Sequence, residues 1–160
     1  MFRASEVIEI AVAMERNGRA LYQAMAAAAA SPKVKDLLDK LAAAETQHIT
    51  DFSTLGRQFE NYAPPESYPG EYEDYVKALV DAGVFARDLD PKELVGQCTT
   101  DEAILDLALN FEKETIIFFH TFPRLVFSPE EQKAVSRLIR EEEEHIVQLS
   151  AAKRQRDAKA

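Results

Sequence analysis

Cysteine is almost absent from this chain of 160 residues, which has one, Cys98. A single cysteine excludes a disulfide framework and any metal module held by four cysteines, and it favours a reducing compartment. Long apolar runs are also missing, since no segment approaches the ~18 consecutive apolar residues of a membrane span. Residues 1–16 lack the uninterrupted apolar core of a signal peptide. We therefore expect a cytoplasmic protein without a membrane partner.

Basic residues are too few to balance the acidic ones, because 19 Lys and Arg face 28 Asp and Glu and leave a net charge of −9. This charge argues against nucleic acid as a partner. The hydrophobic fraction of 46% is ordinary for a globular protein, and the length suffices to bury a sizeable core. We expect residues 1–160 to form a single domain.

One pattern of acidic residues and histidine is present twice: a lone Glu is followed 30 residues later by Glu-x-x-His. The first copy is Glu15 with Glu45 and His48, and the second is Glu112 with Glu142 and His145. The copies lie 97 residues apart, and the same offset superposes Ser31-Pro32 on Ser128-Pro129. This regularity indicates an internal duplication.

Each of these six residues lies within a largely apolar stripe that steps alternately by three and four residues. Such spacing keeps the members of a stripe on one face of a helix. The stripes predict four long helices in two hairpins, residues 5–60 and 99–155. The connection over residues 61–98 is long enough to cross the bundle, and it contains a short predicted helix at Glu71–Ala82.

Capping signals predict where the helices begin. The two Ser-Pro pairs place an N-cap before Pro at the first helical position of the second and fourth helices. Thr99 followed by Glu102 is the pattern of a capping box for the third helix, which we expect to extend to residue 126. Each hairpin turn then lies midway between a lone Glu and its partner motif, so the ligands face each other.

A carboxylate on the apolar face of a helix is costly unless a cation or hydrogen-bond partners meet it. Taken singly, each residue has an ordinary interpretation, such as a hydrogen-bonded core histidine or a buried salt bridge. Glu and His three residues apart, however, can reach the same metal. Four carboxylates and two imidazoles in one bundle suit two iron-class ions, and manganese or zinc would also be accepted.

The acidic run of residues 141–144 guarantees some carboxylate near His145, and such runs are usually solvated. Only Glu142 of the four shares the apolar stripe with His145. We therefore expect Glu141, Glu143 and Glu144 to point elsewhere. The third histidine, His120, has no Glu three residues before it and is given no role.

In this order the motifs resemble the rubrerythrin-like branch of the ferritin-like superfamily, over nearly the whole chain. The motifs are Glu15-x6-Tyr22, Glu45-x-x-His48, Glu112-Lys113 and Glu142-x-x-His145. The resemblance implies an all-α, left-handed four-helix bundle in which Glu45 and Glu142 bridge two irons. It makes Glu15, His48, Glu112 and His145 the terminal ligands. Tyr22 would donate a hydrogen bond to a ligand carboxylate across the site.

Two features depart from that family. Rubrerythrins proper add an iron module held by four cysteines that passes electrons to the di-iron centre, and this chain has one cysteine. An external electron-donor protein is therefore expected. Rubrerythrins also carry an extra Glu one turn after the lone Glu of the third helix, where this chain has Thr115. That difference argues against a specialised peroxide reductase.

The preferred function is a di-iron oxidoreductase that reacts with hydrogen peroxide or O2, as a peroxidase or ferroxidase in oxidative-stress defence or iron handling. The alternative is non-enzymatic iron binding, storage or delivery, which would not sustain peroxide reduction. A third class, a metal-free helical interaction module, predicts no metal on purification. We expect a homo-oligomer, with a dimer as the simplest state.

Overall fold

The computed structural model describes residues 4–56, 69–82, 90–122 and 129–157, and the regular secondary structure of these residues is entirely helical. The helices in chain order are α1 (Ala4–Ala28), α2 (Pro32–Gly56), α3 (Glu71–Ala82), α4 (Pro91–Gly96), α5 (Asp101–Phe119) and α6 (Pro129–Asp157). This confirms the predicted all-α class. Among the residues described, none of the helices combines the length and the apolar character that a bilayer crossing needs.

The long helices pack in pairs. Helix α1 lies along α2, and α5 lies along α6. The two pairs meet where α1 contacts α5 and where α2 contacts α6, which makes a helical bundle. The short helix α4 packs against α1, so part of the connection between the hairpins covers the bundle.

Several helix boundaries follow the sequence signals. Helix α2 begins at Pro32, α6 begins at Pro129, and α3 has the predicted bounds. Residues 57–60, at the predicted end of the second helix, lie outside the described residues. Helix α4 was not predicted, although its start has an ordinary signal: Asp90 Oδ1 accepts a hydrogen bond from Lys92 N at 2.9 Å, and Pro91 follows the cap.

Helix α5 differs from its prediction at both ends. Its N-cap is Thr100, whose Oγ1 accepts a hydrogen bond from Ala103 N at 3.2 Å, so the prediction of Thr99 was wrong by one residue. The helix ends at Phe119, with His120 as its C-cap, so the predicted extension to residue 126 was also wrong. Pro123 cannot donate a helical hydrogen bond, and it disfavours helix in the residue before it.

Asp101 explains the position of the cap. Its carboxylate accepts hydrogen bonds from Ala30 N at 2.8 Å and from Ser31 N at 3.0 Å, and the residue is only 4% exposed. These bonds join the start of α5 to the turn between α1 and α2. Thr100 as N-cap puts Asp101 at the first helical position, from which it reaches that turn.

The apolar core of the described residues forms two clusters along the helices. One contains four phenylalanines whose neighbouring ring centroids lie 4.8–6.3 Å apart: Phe52, Phe118, Phe119 and Phe122. The other is mainly aliphatic and includes Leu21, Met25, Leu38, Leu105 and Leu149. In each long helix, the predicted ligands lie between residues of the first cluster and residues of the second. The ligand layer therefore occupies the middle of the bundle.

Candidate metal centre

The structure brings all six predicted ligand residues together in the interior. The four glutamates are 0% exposed, and the two histidines are 2% and 5% exposed. They form two groups of four, and within each group one oxygen or nitrogen from every residue lies within 4.8 Å of the others. The groups are Glu15, Glu45, His48 and Glu142, and Glu45, Glu112, Glu142 and His145. Glu45 and Glu142 belong to both.

The oxygens of Glu142 lie between the two histidines. Oε1 is 2.8 Å from His48 Nδ1, and Oε2 is 2.9 Å from His145 Nδ1. Glu15 Oε2 lies 3.3 Å from His48 Nδ1, and Glu112 Oε1 lies 3.2 Å from His145 Nδ1. The imidazole rings are stacked, with centroids 5.6 Å apart and planes inclined by 20°. The arrangement is two similar half-sites that share their central carboxylates.

Within the described residues, most polar atoms of this cluster lack an aligned hydrogen-bond partner. These atoms are both carboxylate oxygens of Glu15, Glu45 and Glu142, Oε2 of Glu112, and Nδ1 of His48 and His145. The contacts between them are close enough for ion pairs, but they are not directed as hydrogen bonds. Buried polar atoms without partners are unfavourable, whereas coordinated cations would satisfy them together. The residues present therefore fit a bound metal pair.

Burial raises the pKa of three of the four buried carboxyl groups. Burial raises the pKa of Glu15 and of Glu45 well above the ordinary value. It also raises the pKa of Glu112, to about 8. Burial acts in the same direction on Glu142, but the contacts with His145 and His48 outweigh it and lower the pKa of this carboxyl to about 2. Three carboxyl groups thus favour the protonated form without metal, and Glu142 remains ionised.

The histidines have the opposite balance. Burial lowers the pKa of His48, but its contacts with Glu142 and neighbouring carboxylates raise it to about 9. Burial also lowers the pKa of His145, and its contacts with Glu112 and Glu142 raise it to about 10. Without metal the cluster therefore neutralises its charge by holding protons. Metal ligation requires deprotonated groups, so binding would release those protons.

Tyr22 of α1 contacts this cluster at Glu112. Its hydroxyl donates a hydrogen bond to Glu112 Oε1 on α5, and the residue is 0% exposed. Its ring packs edge-on against Phe111, with centroids 6.0 Å apart. Burial and the nearby carboxylates raise the pKa of the Tyr22 hydroxyl, so it stays protonated as a donor. The donated bond fixes the orientation of Glu112.

Glu141 lies outside both groups of potential ligands, but it contacts the cluster from outside, which the sequence did not predict. Its Oε2 lies 3.1 Å from His48 Nε2, on the side of the ring that faces away from the cluster. Successive helical residues are rotated by about 100°, so the residue before Glu142 can face α2 while Glu142 faces the core. This rotation could have indicated the contact of Glu141 with His48. The acidic run of residues 141–144 made Glu141 look like an ordinary exposed residue.

Thr115 occupies the place where the family resemblance implies an extra carboxylate. It is 1% exposed, and its Oγ1 has no hydrogen-bond partner among the described residues. Thr115 is absent from both groups of potential ligands. The cluster therefore contains four carboxylates, as predicted from the duplicated pattern.

Comparison with known proteins agrees with this arrangement. A solved structure from Thermotoga maritima, provisionally described as a ferritin-like diiron-carboxylate protein, has a TM-score of 0.67 with this chain at 24% sequence identity. The match covers 96% of this chain and 95% of that one, and it establishes a ferritin-like fold. No match was found among curated proteins. The family model described as Rubrerythrin matches residues 6–153, and the chain therefore belongs to the rubrerythrin family.

Proposed function

We propose that this protein is a di-iron carboxylate oxidoreductase that reacts with hydrogen peroxide or O2, as a rubrerythrin-like peroxidase or ferroxidase. The proposal is carried by one observation, the two groups of four buried ligands that share Glu45 and Glu142. Carboxylate-rich sets with one histidine for each ion suit iron in helical bundles. Manganese and zinc remain alternative occupants.

Each ion would have its own terminal ligands and two shared ones. Glu15 and His48 would hold one ion, Glu112 and His145 would hold the other, and the shared carboxylates would bridge them. The iron pair, when bound, supplies the electrons that reduce peroxide or O2. The protein would contribute three things to such a site. It fixes the ligands, keeps water out and holds protons in defined places.

Tyr22 and the apolar clusters perform the first two tasks. The hydrogen bond from the Tyr22 hydroxyl holds Glu112 in one orientation, and outer partners of this kind stabilise metal ligands. The phenylalanine cluster on one side and the aliphatic cluster on the other exclude solvent from the ligand layer. A dry site strengthens every electrostatic contact within it.

The third task follows from the pKa values. The metal-free cluster holds protons on buried carboxyl groups and on the imidazoles. Metal ligation needs these groups deprotonated, so ions that bind here would displace the protons.

Electrons for repeated turnover would come from an external donor protein, because one cysteine cannot hold an iron–sulfur module. Iron storage or delivery without turnover is the alternative. The replacement of a carboxylate by Thr115 favours this alternative, and it also favours a ferroxidase over a specialised peroxidase. We further propose that the protein acts in the cytoplasm as a homodimer, in oxidative-stress defence or iron handling.

Rapid mixing of the reduced, iron-loaded protein with hydrogen peroxide tests the proposal. Absorbance should report one fast oxidation and then arrest, and addition of a reduced rubredoxin with its reductase should restore peroxide consumption. Glu142→Gln should abolish the fast phase, whereas the exposed Glu143→Gln should retain it. Continuous consumption with only excess Fe(II) would assign a ferroxidase instead. Iron binding without any oxidation by peroxide or O2 would leave storage or delivery.

A further inference from the structure

A chain of polar contacts links the buried ring of His48 to the protein surface. His48 Nε2 lies 3.1 Å from Glu141 Oε2, and Glu141 Oε1 lies 4.0 Å from Arg137 Nη1. Arg137 Nη2 donates a hydrogen bond to Asp51 Oδ2 at 2.5 Å. Asp51 also accepts a hydrogen bond from Gln47 Nε2 at 2.9 Å. The carboxylate that meets His48 thus also lies near Arg137 of the same helix, and Arg137 is joined to Asp51 of α2.

Among the described residues, the second half of the duplication has no corresponding series of polar contacts at His145. The 97-residue offset that relates His48 to His145 places Ala44 opposite Glu141, Gln148 opposite Asp51 and Lys40 opposite Arg137. Alanine cannot accept a hydrogen bond from an imidazole. Among the described residues no hydrogen bond involves His145 Nε2, while Nδ1 of both rings faces the shared carboxylates. The two half-sites therefore have the same inner residues and different outer ones.

We propose that Glu141 is a positioning residue for His48 and that it makes the two metal positions unequal. The ion held by His48 is bound more tightly, and the ion held by His145 is the exchangeable one. This inference rests on the proposed di-iron function and deepens it, because it assigns distinct roles to the two ions.

The physical reason lies in the imidazole tautomer. A carboxylate beside Nε2 holds the proton there, so that Nδ1 presents its lone pair to the metal, and it also makes the ring a stronger donor. Arg137 lies near the other oxygen of this carboxylate, at 4.0 Å. His145 has to select the same tautomer without a hydrogen-bond partner at Nε2 in the part of the chain that the structure describes.

Tyr22 adds to the inequality. Its hydroxyl donates a hydrogen bond to Glu112, which belongs to the group of His145. A donated hydrogen bond draws electron density away from a ligand oxygen, whereas the carboxylate of Glu141 supplies electron density to His48. Both differences lower the metal affinity at His145 relative to the metal affinity at His48.

Anaerobic titration of the metal-free protein with Co(II), followed by its visible absorption, tests the inference. We expect two binding steps, and Glu141→Ala should weaken the tighter one by about 10- to 100-fold, the usual effect of losing an outer carboxylate partner. Glu143→Ala removes the same charge from an exposed position on α6 and should leave both steps unchanged. Glu141→Gln, which retains an acceptor oxygen, should lose less affinity than Glu141→Ala.

The reciprocal variant Ala44→Glu supplies a carboxylate at the position related to Glu141. This variant should raise the Co(II) affinity of the weaker binding step, so that the affinities of the two steps become more alike. Mössbauer spectra of the Fe(II)-loaded protein give a second readout, with two distinct iron environments in the unaltered chain that converge in Glu141→Ala.

Three results would overturn the inference. They are equal affinities in the unaltered protein, equal losses in Glu141→Ala and Glu143→Ala, and weakening of the looser step by Glu141→Ala. In each of these cases two ions still bind, so the proposed di-iron function would survive. Failure of the unaltered protein to bind any Co(II) or Fe(II) would overturn both.

Discussion

Phe111 occupies the space that Gly18 leaves by having no side chain. A Cβ atom on Gly18 would lie 2.5 Å from Phe111 Cζ and 2.6 Å from Phe111 Cε1, and it would lie 3.3 Å from Glu45 Cδ. Gly18 is within α1, one turn after Glu15. The close approach of ring and helix therefore lies directly beside a shared carboxylate of the candidate centre.

Gly18→Ala should destabilise the protein. Overpacking costs about 1–3 kcal/mol, and the better helix propensity of Ala offsets about 1 kcal/mol of this. We therefore expect a net loss of up to about 2 kcal/mol in urea unfolding, together with weaker metal binding because Glu45 is displaced. Gly96→Ala is the matched control, since a Cβ there meets nothing within 4 Å. Equal stabilities of the two variants would contradict this account of the packing.

The metal-free protein should lose stability as pH rises from about 6.5 to 9. The folded-state pKa values of His48 and His145, about 9 and 10, exceed the ordinary 6.5, and that of Glu112, about 8, exceeds 4.5. The folded chain thus binds more protons than the unfolded chain, and this stabilisation is lost as pH passes through the folded-state values. The lowered pKa of Glu142 acts in the other direction, but only below pH 4.5.

Chemical unfolding at several pH values in the presence of a chelator measures this dependence. The free energy of unfolding should fall by about 1.4 kcal/mol or more for each pH unit, which corresponds to at least one proton. The metal-loaded protein should show the reverse trend, because fewer protons compete with the metal at higher pH. A metal-free protein that is equally stable at pH 6.5 and pH 9 would show that the buried cluster does not hold these protons.

Tyr22→Phe should alter the oxidised centre more than the amount of metal bound. The variant removes the hydroxyl that donates to Glu112 and leaves the ring that packs on Phe111. Glu112 then becomes free to change its orientation, so the decay of the absorption that forms on oxidation should change while two ions still bind. Tyr75→Phe is a suitable control because Tyr75 is exposed. The prediction fails if Tyr22→Phe and Tyr75→Phe behave alike.

The helices and the ligand residues could be predicted because both are periodic in the sequence. A stripe with helical spacing identifies the face of a helix that is buried, and a repeat at a fixed offset identifies which polar residues share that face. Glu15 and Glu142 are identifiable in this way from the sequence alone. The beginning of α2 was predicted because Ser31-Pro32 is a local signal.

Contacts between distant residues could not be predicted in the same way. Glu141 meets His48 across 93 positions of the chain, and its sequence context is an acidic run that usually faces solvent. Asp101 fixes the start of α5 by accepting hydrogen bonds from the turn between α1 and α2. The sequence around α5 does not reveal that this turn lies next to it. The space beside Gly18 is likewise filled by the ring of Phe111, which belongs to another helix. In each case the determining interaction is tertiary.

Anaerobic titration of the metal-free protein with Fe(II) tests the central claim most directly. The account predicts saturation at two ions for each chain. Glu45→Ala and Glu142→Ala, which each remove a shared carboxylate, should lose the paired site while the exposed Glu144→Ala retains it. Saturation of the unaltered protein at a single ion, or unchanged binding of two ions in both shared-carboxylate variants, would contradict a dinuclear centre.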